Sequence, residues 1–279
     1  MYIISWNING LKSRFDELKQ LVETCNPDFV CLQKVRCNSG REQFGIDGYR
    51  ALYTPVDSGR WSGVITYAKI PAYPDSRVSA LSLPERIHTP ELSNDGHCQV
   101  FRCKDFALVN AYVPFNNPKL ADAEQCRKTW DTQFRAFIKK LSSETQVVIC
   151  GDLNVVHTIN DTCEKYLEYK RPCFYKWERD NFDLLLKEAD LVDAYREICP
   201  DEVAPTFYGN FRHTGFGNRI DYFLISRSLL PCLVTSDILT DFGTGQSVPI
   251  ILDFNPRVSA LPPGNRMSNR NFDQKTPIV

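Results

Sequence analysis

The chain has 279 residues, 43% hydrophobic and 24% charged, with a formal net charge of -1. This is an ordinary globular composition with enough apolar material for a large core, and near-neutrality excludes strong bulk attraction to nucleic acid or acidic membranes while permitting a local basic groove. The 11 cysteines are odd in number and form no C-x-x-C pair, which argues against a disulfide framework or zinc site and for a reducing compartment.

In chain order, short β-rich runs bounded by polar or turn residues predict strands at Tyr2–Trp6, Phe29–Leu32, Gly63–Tyr67, Phe106–Tyr112, Gln146–Cys150, Tyr222–Ile225 and Pro249–Phe254. Helical periodicity falls between some of them. Leu11, Phe15, Leu18, Val22 and Cys25 share one face. Trp130, Phe134, Phe137, Ile138 and Leu141 make a second stripe, and Phe182, Leu185 and Leu186 begin a third. Strands alternating with helices and long loops predict an α/β fold, with two mixed sheets packed together and covered by helices. No linker interrupts residues 1–254, which form one predicted domain. Residues 255–279 are polar, rich in Pro, Gly and Asn, and aperiodic, so a flexible tail is expected. No run is long enough to span a bilayer and no signal-type segment opens the chain. The expectation is an intracellular protein, nuclear or cytoplasmic, with no membrane partner.

Polar residues gather just past the strand ends, where loops can bring side chains to one rim of a sandwich. Asn7 and Asn9 follow the first run, Gln33 and Lys34 the second, and Tyr112 closes the fourth. Asp152 and Asn154 follow the fifth in GDLN; Arg219 and Asp221 open RIDYFLI; Gln246 and Ser247 precede the last run. Singly, each motif reads equally well as turn chemistry or a capping residue. Their order and number change that.

The collinear set SWNINGL (5–11), PDFVCLQ (27–33), WSGVITY (61–67), NAYVP (110–114), GDLNVVH (151–157) and GNRIDYFLISRSLLP (217–231) resembles the exonuclease III/AP endonuclease family of the endonuclease/exonuclease/phosphatase superfamily. ILTDFGTGQSVPI (238–250) keeps the family's frame without its key letters. The resemblance implies a four-layer α/β sandwich with one Mg²⁺-dependent site at its rim, where hydroxide attacks a DNA phosphate beside an abasic sugar. A hard cation there wants oxygen ligands, and a histidine held by a carboxylate suits proton transfer near neutral pH.

Carried over by position, Asn7 matches the asparagine beside the metal, and Asn9 a position taken by Asp or Asn. Tyr112 matches the phosphate-side tyrosine, Asp152 and Asn154 the pair that orients nucleophile and phosphate, and Asp221 the aspartate that holds the catalytic histidine. The departures fall in the catalytic set. The resemblance calls for a metal glutamate at Lys34, a metal-side aspartate at Gln246, the histidine at Ser247 and a lesion-pocket tryptophan at Asn218. Phe207 and Ile220 keep the apolar pocket, and Lys170, Arg171 and Arg219 are the candidates to meet phosphates. Neither His88, His97, His157 nor His213 stands near Ser247 in sequence.

These letters predict that no metal is bound; the donors left for one are Asn7, Asn9 and Asp152, with Mg²⁺ the cofactor if the chain is active. Lys34 is expected to pair with Asp152 as a fixed substitute for the cation. The functional expectation is an inactive pseudonuclease that binds DNA or a protein partner. A weak or re-specialised metal-dependent phosphodiesterase and a pure interaction scaffold are the alternatives.

Overall fold

A computed structural model describes residues 1–37, 41–53, 63–70, 97–103, 105–164, 167, 170–210 and 212–255. Eleven strands form two mixed sheets. The first holds β1 (Tyr2–Asn7), β2 (Phe29–Gln33), β3 (Tyr49–Tyr53), β4 (Val64–Lys69), β10 (Leu233–Ile238) and β11 (Ile250–Phe254), in the order β10-β11-β1-β2-β4-β3. The second holds β5 (Cys98–Arg102), β6 (Ala107–Tyr112), β7 (Val147–Asp152), β8 (Leu191–Asp193) and β9 (Asp221–Ser226), in the order β5-β6-β7-β9-β8.

Strand alternation sorts the side chains into layers. Ile3, Phe29 and Cys31 of the first sheet meet Val148, Cys150 and Phe223 of the second in the core between them. The opposite face of the first sheet, with Ile4, Trp6, Val30 and Leu32, packs under helix α1 (Leu11–Cys25). The outer face of the second, with Val109, Ile149 and Leu224, packs under α2 (Ala123–Glu144) and α3 (Lys176–Glu188). A one-turn helix, α4 (Ala194–Ile198), follows β8 and is capped by the Asp193 carboxylate. The result is the α/β sandwich that the strand and helix pattern predicted.

Each helix buries one stripe, because an isolated helix of this length gains most of its stability from packing. In α1 the buried residues are Leu11, Leu18, Leu21 and Val22, while Phe15 and Cys25 stay half-buried. The helix ends where Asn26 turns left-handed at φ 48° and donates its N–H to the Val22 carbonyl.

All seven predicted runs are strands, shifted at their ends by a residue or two. Four further strands were not anticipated: β3, β5, β8 and β10. Each lies at an edge of its sheet among the described residues. Edge strands keep one side open to solvent and so carry a weaker apolar pattern. The last strand ends at Phe254, and the expected tail at 256–279 lies outside the described residues. Among the described residues none of the eleven cysteines is in a disulfide. Among the described residues no helix is long and apolar enough to cross a membrane.

Candidate functional site

Parallel pairing brings the candidate residues to one rim. β1 and β2 run parallel with Asn7 opposite Gln33, so Lys34 leaves the sheet beside Asn7. β6 and β7 also run parallel and end together at Tyr112 and Asp152. β9 runs antiparallel to β7, so its first residue, Asp221, faces Asp152. β11 starts opposite Ser5, which places Gln246 and Ser247 at the same end.

Asp152 is the centre. Its Oδ2 accepts the Asn7 amide at 2.7 Å, across the gap between the two sheets. Its Oδ1 accepts the Asn154 backbone N–H at 2.9 Å. Burial pushes its carboxyl up to about 6, against the pull of those two donors, Lys34 and Arg127. Asn154 sits left-handed at φ 47° and donates its side-chain amide to the Val113 carbonyl at 2.8 Å. Tyr112 is 7% exposed, and burial followed by the Asp152 charge drives its hydroxyl upward.

Asp221 is held by Thr206, not by a histidine. The Thr206 hydroxyl donates to Oδ2 at 2.6 Å and accepts the N–H groups of Ile220 and Asp221 at 3.1 Å. Oδ1 of Asp221 is buried with no hydrogen-bond partner among the described residues, as are Oδ1 of Asn7 and of Asn9. Burial and the neighbouring Asp152 raise the Asp221 carboxyl well above its ordinary range. Ser247 is 4% exposed; its carbonyl accepts the Trp6 indole N–H at 3.3 Å and its backbone bridges to Phe207. Gln246 is a neutral strap: its amide oxygen accepts from Asn9 and its nitrogen donates to Asn210, both at 3.3 Å.

Lys34 is half-buried and left-handed at φ 53°. Burial and the charge of Arg36 lower the pKa of its ammonium, while Asp152 opposes them. The expected Lys34–Asp152 ion pair is not formed: Asp152 accepts from Asn7 and the Asn154 N–H, and Lys34 has no ion pair among the described residues.

The other candidates divide. Ile220 lies in a small apolar cluster with Val156, Cys173 and Phe174, against which Phe207 packs. Asn218 bridges to Phe207 and accepts the Thr162 hydroxyl at 2.6 Å. Arg171 lies 4.3 Å over the Phe174 ring and pairs with Glu164 at 2.5 Å, at the edge of that cluster; Lys170 is exposed. Arg219 requires a correction. It is 1% exposed and locked between Asp161 at 2.8 Å and Asp193 at 2.5 Å, so it joins loops inside the fold and presents nothing to a phosphate. Of the histidines, His97 stacks on Tyr112, His157 pairs with Asp183 at 2.8 Å and His213 is exposed. His88 lies outside the described residues.

Two supporting residues escaped sequence reasoning. Arg127 is 3% exposed, chelates Asp131 at 2.8 and 2.9 Å, and donates to the carbonyls of Pro114, Leu153 and Asn154. It pins the loops that carry Asp152 and Asn154. Its signal was available: an arginine one turn before Trp130, on the buried stripe of α2, with an aspartate four residues on. Thr206 carried no comparable signal.

The family model described as Endonuclease/Exonuclease/phosphatase family matches residues 4–242. The chain belongs to this family. Recombination repair protein 1 of Drosophila melanogaster is 31% identical over 262 residues, 91% of this chain but 37% of that protein, so the chain spans little more than a third of it. DNA repair nuclease APEX1 of Danio rerio is 33% identical over 262 residues, covering 90% of this chain and 81% of that protein. The crystal structure of the AP endonuclease LMAP from Leishmania major shares the fold, with a TM-score of 0.76 at 22% identity over 90% of this chain and 86% of that one.

Mg²⁺ is the cation this family implies, and the donor set fits it poorly. Gln246 offers a neutral amide where a carboxylate would serve, and Lys34 brings a positive charge beside Asp152. Among the described residues no three His, Cys, Asp or Glu side chains converge to hold a metal.

Proposed function

We propose that this chain is a non-catalytic member of the endonuclease/exonuclease/phosphatase family that binds DNA at the rim around Asp152. The observation that carries the reading is Lys34, whose ammonium acts electrostatically on Asp152 at the place the resemblance gives to a metal carboxylate. Repulsion between a bound cation and this ammonium costs about 1–4 kcal/mol per unit charge at 4 Å. Without histidine at Ser247, general acid–base help worth about 10²–10⁴-fold is also missing. The DNA-directed names of the relatives support DNA as the ligand, with a protein partner on the same scaffold as the competing outcome.

The unpartnered oxygens of Asn7 and Asn9 favour one second reading. They are potential cation ligands, so a weak phosphodiesterase built on Asn7 and Asp152 with an altered cation is the alternative.

The test is incision of an abasic-site duplex at high protein concentration with Mg²⁺ or Mn²⁺. No cleavage is expected. Metal-dependent cleavage abolished by Asp152→Ala would refute the non-catalytic reading. The triple change Lys34→Glu, Gln246→Asp and Ser247→His should then introduce incision if the rest of the site is competent.

A further inference from the structure

The backbone that carries Lys34 is under strain and heavily pinned. Four non-glycine residues around the rim are left-handed: Asn9 at φ 50°, Lys34 at 53°, Arg36 at 51° and Asn154 at 47°. Asparagine tolerates this region, whereas lysine and arginine adopt it rarely. Ile8 donates to the Gln33 carbonyl at 3.1 Å, Gly10 to Lys34 at 3.0 Å, Leu11 to Val35 at 2.9 Å, and Val35 to Gly63 at 3.1 Å. These bonds fix residues 33–35 between the start of α1 and the start of β4. Strain held in this way marks residues whose direction matters.

The Lys34 ammonium is thus delivered half-buried to the rim, with three N–H donors and no ion pair among the described residues. The Asp152 carboxylate is held by Asn7 and the Asn154 N–H and makes no ion pair with it. Arg36 adds a second positive charge that acts on both Lys34 and Tyr112. Tyr112 contributes a hydroxyl with no hydrogen-bond partner among the described residues. The charges of Lys34 and Arg36 and the Tyr112 hydroxyl share this rim, where Asp152 acts on Lys34 through its field without forming an ion pair, and together they suit an anionic oxygen.

We propose that Lys34 binds a DNA phosphate oxygen directly, so that the chain holds DNA without a divalent cation. This rests on the DNA-binding reading above and adds to it the anchor and the independence from metal. A lysine suits the task because it offers a compact point charge whose donors can follow the phosphate.

The experiment is fluorescence anisotropy of a labelled duplex with a tetrahydrofuran abasic analogue, titrated with the full chain in EDTA and again in Mg²⁺, over a salt series. The native chain should bind equally in both. Lys34→Met should weaken binding about 10-fold, the scale of one charged hydrogen bond. It should also make the salt dependence shallower by about one unit of slope. Lys34→Arg, which keeps the charge, should retain the slope, and thermal melts of both variants separate lost contact from lost fold. Native binding that requires Mg²⁺, native binding that is absent, or a folded Lys34→Met that binds like the native chain would each overturn the proposal. Cleavage in the separate Mg²⁺ incision assay strikes only the non-catalytic reading, so the two failures are distinguishable.

Discussion

Asp152 and Asp221 face each other across the β7–β9 pair, two carboxylates each 2% exposed, with Thr206 and Asn7 as their side-chain donors. Burial, reinforced at Asp221 by the charge of Asp152, lifts both above their ordinary value of 3.8. The folded state therefore holds more protons than the unfolded chain above pH 3.8, and stability falls as pH rises, for Asp152 up to about 6. Asp221→Asn removes one of the two like charges and keeps an acceptor for Thr206. It should raise stability at pH 7 by on the order of 1 kcal/mol and flatten the decline, as read by urea unfolding at several pH values. A variant less stable at pH 7 would contradict this electrostatic account.

Glu178 extends the same trend to higher pH. It is 1% exposed in the first turn of α3, and burial pushes its carboxyl from 4.5 up to about 7, with Arg127 opposing from 3.9 Å. A raised carboxyl contributes stability that is present below 4.5 and lost as pH climbs to about 7. Glu178→Gln should abolish this part of the slope, on the order of 2–3 kcal/mol over the window. Persistence of the full slope between pH 6 and 7 in the variant would assign it elsewhere.

Arg219 should behave as a structural residue. Removing it strands Asp161 and Asp193, so Arg219→Met should cost about 3–5 kcal/mol, while DNA affinity of the folded fraction stays unchanged. Lys cannot replace the fork that reaches both carboxylates and should rescue only part of the loss. Burial pushes the Asp161 carboxyl up, but Arg219 and Arg196 outweigh it and leave it below 3.8. Its stabilisation is present above that pH and disappears on further acidification. A large change in salt-dependent DNA binding by folded Arg219→Met would restore the phosphate role.

Gly151 precedes Asp152 at φ 135°, and a Cβ there would lie 1.9 Å from the Ala111 carbonyl oxygen. Gly151→Ala combines a backbone region closed to alanine with a clash between β6 and β7. It should cost about 3–5 kcal/mol, visible as a lower melting temperature. A variant that melts with the native chain would mean that the two strands can part at the rim.

The sequence carried the strands that form the interior of both sheets, because stretches such as Phe29–Leu32 and Val147–Cys150 are buried on both faces and read as continuous apolar segments. It did not carry β3 or β10, whose residues are mostly half-buried or exposed at a sheet edge. At the site, order along the chain located Asn7, Lys34, Asp152, Asp221 and Gln246, since loops at parallel strand ends converge. What it could not supply was side-chain direction. Arg219 and Arg171 are both basic and near candidate motifs, yet one turns inward to two aspartates and the other lies on Phe174. The Thr206–Asp221 bond links residues 15 apart through a bridge between loops, which no local pattern announces.

The 2.7 Å bond from Asn7 to Asp152 joins the last residue of a strand in one sheet to the last residue of a strand in the other. It is a clasp at the open end of the sandwich, and Arg127 and the Asn154 N–H brace it from the outer side. Closing the two halves needs an amide and a carboxylate at those positions whether or not any bond is ever hydrolysed between them. Asn7, Asp152 and Asn154 therefore have an architectural task at this rim that is separate from any chemistry there.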